Sequence, residues 1–538
     1  MMAIRAASRR GAALAAALLL ATPAATPAAA GDPRAELVVA VNELPRSLDP
    51  GAQTGNVDVR IYYSIFDNLI RRDFTDPAEN GGAKLVPALA TAWRWIDPTT
   101  FEVELRRGVT CHDGSPFDAA DVLATFSPER LWGPNAFYPD GRSYFGSLKA
   151  VEKVDDFTIR FVTAEPDPVL DQRLSSYTGF VICDEPWNRF RKPGIGHRIW
   201  MEEASAALRW RPVGTGPYRF AEYRNNDRVR LTAFEGYFEG PPAARAITFK
   251  EVPEAGARIA GLVAGDYHIA VDLPPDQWDR VKGHPDLTLK TAAVENTHVV
   301  LFNTGDPVLS DKRLRQALSL AIDRAALNDA LWKGQAFTPN GLQLPSFGAV
   351  YERSRAGYVY DPAKARALLA ESGYRGQEIS YRLIPNYYTS NVEAAQMLQE
   401  MWARIGVRVK IDYVETFKDV RRPGAQMYAW SNTHRIPDPT GSFLVLWGHA
   451  SDVQVQYRYF RAPAEFNDLS RRLGTTLPAP ERKAMYQRML DIFEDEMPMT
   501  MLYNPVAAYG MSKDVRWTPY VQFYMDFRPS NFAIGSRS

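Results

Sequence analysis

The chain has 538 residues, 63 Lys and Arg against 63 Asp and Glu, and 46% of its residues are hydrophobic. This length is enough for about three to five domain-sized units or for two large ones. The apolar fraction excludes a disordered or collagen-like chain. The zero net charge argues against a nucleic-acid-binding protein, which would carry a basic surface.

The N-terminus is typical of a secretory signal peptide. Arg5, Arg9 and Arg10 precede an apolar run from Gly11 to Ala21, and the small residues Ala28–Ala30 supply a cleavage site. We therefore predict that residues 1–30 are a cleaved signal peptide and that the mature protein is periplasmic. No Cys lies near the cleavage site, so we expect no lipid anchor. No later run reaches the roughly 18–20 apolar residues that a membrane span needs.

The mature chain alternates short strand patterns with helical ones, and its loops are rich in Pro and Gly. The pattern predicts strands at Leu37–Val41, Phe101–Leu105, Thr158–Val162 and Val407–Ile411. No internal repeat period is visible, which argues against a solenoid or a propeller. We predict a mixed α/β protein in which helices cover sheets.

Three helices have clear start and stop signals. The first is capped by Ser310 and keeps a helical apolar spacing to Ala325. The second starts at Asp361, which precedes a Pro, and stops before a Gly. The third starts with a capping box formed by Ser390 and Glu393 and stops before a Gly that leads into a strand.

Cys111 and Cys183 are the two cysteines of the chain. In an exported protein such a pair can form a lasting disulfide. Two buried free thiols are the alternative, because cysteine is a common core residue. The sequence leaves both possibilities open.

Enzymatic and metal-site motifs are missing from the sequence. It contains no Gly-x-Ser-x-Gly elbow, no His-Glu-x-x-His pair and no Cys-x-x-Cys. The best metal-like group, His434, Asp438 and His449, has spacings that match no helical or hairpin ligand pair. We therefore predict no catalytic residues, no metal site and no cofactor.

Six stretches resemble one family in the same order along the chain. The stretch Leu105–Val122, with its Cys-His-Asp-Gly-Ser-Pro turn, resembles the signature of the family 5 extracellular solute-binding proteins, which are the dipeptide-, oligopeptide- and nickel-binding components of ABC importers. The other stretches are Ser47–Pro50 with Ile65–Leu69, Val213–Tyr218, Asp311–Arg324, Tyr360–Leu369 and Arg404–Val407. The residues themselves indicate scaffold features, such as a helix cap formed by Asp118 and Asp121.

The resemblance implies a two-lobed periplasmic-binding-protein fold whose lobes close over a solute and are joined by two hinge strands. Lobe I would span residues 31–292, with an extra subdomain at about residues 60–190 that carries both cysteines. Lobe II would span residues 293–497, and residues 498–538 would return to lobe I. The expected partners are a small solute or short peptide and the ABC permease and ATPase subunits of the inner membrane. The protein itself would be a monomer that neither catalyses a reaction nor binds nucleic acid.

The expected pocket departs from the family pattern at one place. In peptide-binding relatives, an Asp shortly after a Trp anchors the α-amine of the peptide, and an Asp-Pro follows. Here the Trp and the Asp-Pro are present at Trp430 and Asp438, but Asn432, Thr433 and His434 occupy the positions expected for the anchoring carboxylate. A buried ammonium group needs an opposite charge. The departure leaves room for a solute without a free amine, such as a glycoside, an opine-like conjugate, a metal chelate or a blocked peptide.

The candidate ligand contacts come from both lobes. In lobe II they are Trp430, Asn432, Thr433, His434 and Asp438. In lobe I they are Gln53 and Thr54, because in relatives the loop after the Ser-Leu-Asp-Pro motif faces the cleft. Tyr413 and Phe417 would add aromatic wall, since such pockets are largely apolar with a few placed polar groups.

Overall fold

The structure is a computed structural model that describes residues 34–52, 55–75, 82–385 and 387–535. The predicted signal peptide and the candidate contacts Gln53 and Thr54 lie outside these residues. Among the described residues, no helix is long and apolar enough to cross a membrane.

The described residues form 20 strands. In chain order they are β1 (Glu36–Val41), β2 (Ile70–Arg72), β3 (Leu85–Pro87), β4 (Ala90–Asp97), β5 (Thr100–Leu105), β6 (Leu148–Asp155), β7 (Thr158–Thr163), β8 (Tyr218–Arg224), β9 (Arg228–Ala233), β10 (Ala246–Glu251), β11 (Ile269–Ala270), β12 (Leu287–Ala293), β13 (Asn296–Phe302), β14 (Ile379–Leu383), β15 (Val409–Tyr413), β16 (Met427–Thr433), β17 (Met499–Tyr503), β18 (Val506–Ser512), β19 (Val515–Trp517) and β20 (Phe532–Ile534).

The same part of the chain forms 17 α-helices, several of them a single turn long. They are α1 (Asn56–Ile65), α2 (Ala119–Thr125), α3 (Arg142–Phe145), α4 (Leu170–Leu174), α5 (Glu185–Asn188), α6 (His197–Leu208), α7 (Ala255–Ala264), α8 (Trp278–Lys282), α9 (Lys312–Leu320), α10 (Arg324–Trp332), α11 (Pro362–Glu371), α12 (Asn391–Arg404), α13 (Phe417–Val420), α14 (Phe443–Trp447), α15 (Asp452–Val455), α16 (Ala464–Leu473) and α17 (Ala479–Glu496).

Two large sheets organise the molecule, and the predicted mixed α/β class is confirmed. The seven-stranded sheet has the order β12-β18-β11-β1-β10-β9-β8, and the five-stranded sheet has the order β15-β14-β16-β13-β17. A separate four-stranded antiparallel sheet, β4-β5-β7-β6, lies within the segment predicted as an extra subdomain. All four strands predicted from alternation are present, with ends shifted by one or two residues.

The chain passes between the two large sheets twice. Val294 and Glu295 connect β12 of the seven-stranded sheet to β13 of the five-stranded sheet. Asn504 and Pro505 connect β17 back to β18. Both connections are two residues long, so each sheet approaches the other at the edge where these strands cross.

Helices cover both faces of the five-stranded sheet. On one face, Leu398 and Trp402 of α12 belong to a hydrophobic core that also contains Val300 of β13. On the other face, Tyr486 of α17 packs in a core with Val299 of the same strand. Both faces of the five-stranded sheet are therefore buried against helices. Its edges are the parts that these helices do not cover.

The predicted helix starts are confirmed at two places. Asp118 accepts a hydrogen bond from the backbone N–H of Ala120 at 2.6 Å, and Asp121 completes the capping box. Asp361 accepts from the backbone N–H of Lys364 at 2.8 Å at the start of α11. Each carboxylate satisfies a backbone donor that the first helical turn leaves without a partner.

Two predicted capping interactions were wrong, although α12 does start after Ser390 as predicted. Asp311, not Ser310, caps α9, and the predicted single helix ends at Leu320. A second helix, α10, begins where Asp323 accepts from the backbone N–H of Ala326 at 3.0 Å. Ser390 precedes α12 in a left-handed conformation with φ 57° and makes no capping bond with its side chain.

Cys111 and Cys183 form a disulfide, with their Cα atoms 6.3 Å apart. Both lie in the hydrophobic core of the four-stranded sheet. This settles the choice that the sequence left open. Among the described residues, the one group of His, Cys, Asp and Glu atoms close enough to hold a metal ion is this pair with Asp121, and the disulfide occupies both sulfurs.

Candidate functional site

Most of the predicted contacts lie near one edge of the five-stranded sheet, which we call the crossing edge. Strand β13 begins there, and β16 and β17 run antiparallel to it, so they end there. Strands β14 and β15 run parallel to β16 and end at the same edge. The crossing edge therefore gathers the start of β13 and the ends of β14, β15, β16 and β17. Asn432 and Thr433 end β16, and Tyr413 ends β15.

The seven-stranded sheet presents a matching edge. Strands β1, β10 and β11 are parallel to one another, and β18 is antiparallel to β11 and β12. The ends of β1 and β12 and the start of β18 therefore lie together, where the chain crosses to β13 and returns from β17. The chain leaves β1 at this edge.

Trp430 lies half-buried in β16, and its ring makes a cation–π contact with an arginine. The guanidinium of Arg421 is 4.8 Å from the centre of the Trp430 ring and 5.4 Å from that of Phe417. Tyr457 adds a third ring at 5.8 Å. The structure thus brings the predicted residues Trp430 and Phe417 together around an arginine.

Asn432 is buried, and its amide is half satisfied. Its Oδ1 accepts a hydrogen bond from the Trp447 indole N–H at 3.0 Å. Its Nδ2 is buried and has no hydrogen-bond partner among the described residues. A buried donor without a partner carries a desolvation cost, which a water molecule or a solute group could remove.

His434 is buried beside Asn432, and its tautomer follows from its neighbours. Thr297 Oγ1 lies 3.0 Å from His434 Nε2 and donates its one proton to Asn504 Oδ1 at 2.7 Å. Asn504 Nδ2 donates to the Val294 carbonyl at 3.1 Å, which fixes the orientation of that amide. His434 Nε2 must therefore carry the proton and donate to Thr297, because a hydroxyl has one proton to give.

The remaining nitrogen of His434 is a bare acceptor. Burial lowers the pKa of the His434 imidazole to about 3, so the ring is neutral at physiological pH. Nδ1 is buried and has no partner within the described part of the chain. Asn432 and His434 thus leave an unpaired donor and an unpaired acceptor two positions apart on one strand end.

Asp438 is buried, and one of its two carboxylate oxygens is engaged by other protein groups. Its Oδ1 accepts from Arg482 Nη2 at 2.7 Å, and from the backbone N–H and the hydroxyl of Thr440 at 2.8 Å each. These bonds neutralise the carboxylate and cap the short turn Pro439–Gly441. Oδ1 therefore has a structural role, whereas Oδ2 accepts no hydrogen bond from the described residues.

Thr433, Tyr413 and Phe417 have different surroundings. Thr433 donates to Asn296 Oδ1 at 3.1 Å, which joins the end of β16 to the start of β13. Tyr413 is 52% exposed. Phe417 lies beside Tyr387, Tyr388 and four other residues, which come from α13, β16 and the segment from the end of β14 to the start of α12, and the space among them is too small to hold a water molecule.

A buried carboxylate, Glu295, holds the first crossing. Its Oε2 accepts from Arg72 Nη2 at 3.0 Å and from Gln522 Nε2 at 2.8 Å. Its Oε1 accepts from the Ser346 hydroxyl. Gln522 Nε2 also donates to the His434 carbonyl at 2.8 Å. This cluster ties residues from distant parts of the chain to the point where the two sheets meet.

Arg435 reaches from the loop after β16 to the part of the chain that carries the four-stranded sheet. Its Nη1 donates to the Tyr144 hydroxyl, and its guanidinium lies 5.7 Å and 5.9 Å from the ring centres of Tyr144 and Tyr177. Within the described residues, no carboxylate lies at ion-pair distance from Arg435. The hydrogen bond from Arg435 to Tyr144 therefore joins the crossing edge of the five-stranded sheet to the core of the four-stranded sheet.

Sequence reasoning missed Arg421, Arg435 and Glu295. Arg435 directly follows the predicted residue His434, so a search for charges between the Trp and the Asp-Pro would have found it. Arg421 and Glu295 gave no such signal, because neither lies in a motif. Their importance comes from neighbours that are distant in sequence, such as Tyr457 and Gln522.

A comparison with protein-family models matches residues 84–454 to the middle region of the bacterial extracellular solute-binding proteins, family 5. Di/tripeptide-binding protein 1 of Pseudomonas aeruginosa is 26% identical, over 93% of both chains. Heme-binding protein A of Haemophilus influenzae is 27% identical, over 82% of this chain and 83% of that one. Relatives of nearly equal identity are thus named for different ligands.

Solved structures show the same fold. The dipeptide binding protein from Pseudoalteromonas sp. SM9913, in complex with Met-Leu, superposes with a TM-score of 0.79 and is 22% identical. The match covers 93% of this chain and 100% of that one. The described residues therefore have the fold of the periplasmic binding proteins.

Proposed function

Because this chain belongs to the bacterial extracellular solute-binding proteins of family 5, we propose that it is the periplasmic solute-binding component of an ABC importer. It captures a peptide or peptide-like solute and delivers it to a permease that ATPase subunits of the inner membrane drive. The match to a protein named for di- and tripeptides over 93% of both chains supports this class of solute. No bond of the solute is made or broken.

Capture takes place between two lobes. Residues 34–293 and 506–535 belong to the lobe with the seven-stranded sheet, and residues 296–503 belong to the lobe with the five-stranded sheet, which moves the second predicted boundary from 497/498 to beyond β17. The two short crossings at 294–295 and 504–505 support this division. Short connections absorb rotation while each sheet stays packed, and a solute that contacts both lobes favours the closed arrangement.

The observation that carries the proposal is the composition of the crossing edge. The rings of Trp430 and Phe417 contact the same guanidinium, the exposed Tyr413 ends β15, and the polar residues Asn432 and Thr433 end β16 at the same edge. Solute sites combine an apolar wall with a few placed polar groups in this way. Gln53 and Thr54 remain candidates for the other lobe on the family resemblance alone.

A non-peptide solute on the same scaffold is the second candidate. A glycoside, an opine-like conjugate or a metal chelate lacks the free amine that a peptide presents. This candidate is favoured by the state of Asp438, whose carboxylate already pairs with Arg482. The relatives reported above are named as binding proteins, so we propose no enzymatic activity.

Native mass spectrometry of the mature protein, purified gently from periplasm, tests solute capture. We expect a bound mass that is released unchanged, and we expect Trp430→Ala to weaken its retention by about tenfold or more, because a truncated aromatic anchor removes much of the buried contact area. Trp210→Ala is the matched control, because Trp210 is also half-buried and stacks on one ring, Tyr223, at 3.7 Å. Equal retention by both variants would contradict the proposed pocket.

A further inference from the structure

The acids near the crossing edge are already committed to protein partners. Glu295 pairs with Arg72 and accepts from Gln522, and Asp438 pairs with Arg482. The other acid at the strand ends, Glu415, is exposed to water. A solute ammonium at this edge would therefore find no buried carboxylate with a free negative charge.

The segment after β1, which faces this edge, gives the same result. Glu43 forms an ion pair with Arg46 at 3.8 Å. Asp58 accepts from the backbone N–H of Gly55 at 3.0 Å as part of the cap of α1. Both acids have local partners on their own side. Asp171 of α4 is the exception: it is half-buried near Asp438, burial raises its pKa to about 6, and among the described residues it has a backbone N–H donor but no cationic partner.

Arg421 is in the opposite situation. It is half-buried, its guanidinium lies against the rings of Phe417, Trp430 and Tyr457, and its Nε is buried without a hydrogen-bond partner in the described part of the chain. Among the described residues, no carboxylate lies at ion-pair distance from it. Arg435, by comparison, donates to the Tyr144 hydroxyl and so has a partner.

An arginine that lies against aromatic rings and has no carboxylate partner is suited to bind an anion. Three aromatic rings lie with their centres 4.8–5.8 Å from the guanidinium and shield part of it from water. In these surroundings a charge-assisted hydrogen bond is stronger than in water, and the guanidinium fork matches the two oxygens of a carboxylate. Pairing with a solute anion would also supply a partner for the buried Nε.

We propose that the solute is held at the crossing edge by a carboxylate group that binds Arg421. This inference rests on the proposed function and names the chemical class of its solute: a carboxylate with an apolar or aromatic part next to it. The rings that enclose Arg421 receive that apolar part. A free amine on the solute is not needed.

The test uses one mixture of solutes in three chemical forms. Yeast extract supplies small peptides, amino acids and organic acids. One portion is left untreated, a second is acetylated to remove amines and keep carboxylates, and a third is methyl-esterified to remove carboxylates and keep amines. The melting temperature of the mature protein, freed of bound solutes by unfolding and refolding, is measured against each portion.

We expect the untreated and acetylated portions to raise the melting temperature and the esterified portion to have no effect. In Arg421→Gln the concentration of the acetylated portion needed for half the shift should rise about tenfold to hundredfold, as for the loss of a charged hydrogen bond. Arg421→Lys should keep part of the response. Arg422→Gln is the matched control, because this exposed neighbour carries the same charge one residue away and should respond like the wild type. Melting without solutes shows whether each variant is folded.

The outcomes separate the inference from the proposed function. A shift with the esterified portion as large as with the acetylated one, or a wild-type response in Arg421→Gln, would overturn the carboxylate anchor and leave solute capture standing. No shift with any portion, the untreated one included, would contradict solute capture itself, and the inference would fall with it.

Discussion

Burial keeps three histidines neutral in the folded protein. It lowers the pKa of His112 to about 4 and the pKa values of His298 and His434 to about 3. His298 and His434 lie at the crossing edge, where a charged imidazole would need a partner that the surroundings do not provide. The neutral form is what allows His434 Nδ1 to act as an acceptor there.

His298 offers a clean prediction on pH. Its pKa is about 3 in the folded protein and about 6.5 in an unfolded chain, so between these values the unfolded chain binds one more proton at this residue. Its contribution to stability is therefore complete above pH 6.5 and falls as the pH drops. His298→Phe keeps a ring beside Tyr388 and Tyr503 and removes the titrating group.

Urea unfolding of the wild type and His298→Phe from pH 7 to pH 4 measures this effect. Below pH 6.5, the free energy of unfolding of the wild type should fall relative to that of the variant by about 1.4 kcal/mol per pH unit. Parallel pH profiles would show that His298 takes up a proton equally in both states.

At the scale of single residues, the sequence predicts which segment carries the site better than which side chains do. Trp430 and Phe417 were predicted and lie together around Arg421, but Arg421 itself gave no signal. Asp438 was predicted as a contact because of its place after the Trp. Its Oδ1 pairs with Arg482, which lies on a helix that begins 41 residues later at Ala479, and no sequence signal pointed to this pair. Partners that come from distant segments cannot be read from local spacing.

The helix starts allow a matched comparison at the scale of elements. Asp361 accepts from the backbone N–H of Lys364, whereas the Ser390 side chain makes no capping bond. Asp361→Ala should lower the free energy of unfolding by about 1 kcal/mol, because it leaves a backbone donor without its cap. Ser390→Ala should change it by less than about 0.5 kcal/mol, as for an ordinary surface substitution. Equal losses in thermal or urea unfolding would contradict this assignment of caps.

The same elements explain what the sequence could and could not predict about the fold. Strand alternation and the Asp-Pro start of α11 are local signals, and they were read correctly. The break between α9 and α10 was missed because Leu314, Leu318 and Leu327 all face the same core, so the apolar spacing continues through the break. The second helix starts at the capping bond of Asp323. This cap was missed because an Asp within an apolar pattern is equally expected on the solvent-facing side of one continuous helix.

At the scale of the whole molecule, two connections of two residues each join the large sheets. The Glu295 cluster stabilises the first crossing. The hydrogen bond from Arg435 to Tyr144 links the loop after β16 to a residue 291 positions earlier in the chain. Rotation about the crossings would break the second contact and leave each sheet intact. The order of strands in each sheet could not be predicted from the sequence alone, because the pairing partners are far apart along the chain.

Small-angle X-ray scattering of the mature protein tests solute capture between two lobes most directly. The protein is first freed of bound solutes, and scattering is recorded before and after addition of the small-molecule fraction of yeast extract. The account predicts that the radius of gyration decreases when solute binds, because the lobes close over it. A radius of gyration that stays constant while the melting temperature rises would show binding without closure and would contradict the account.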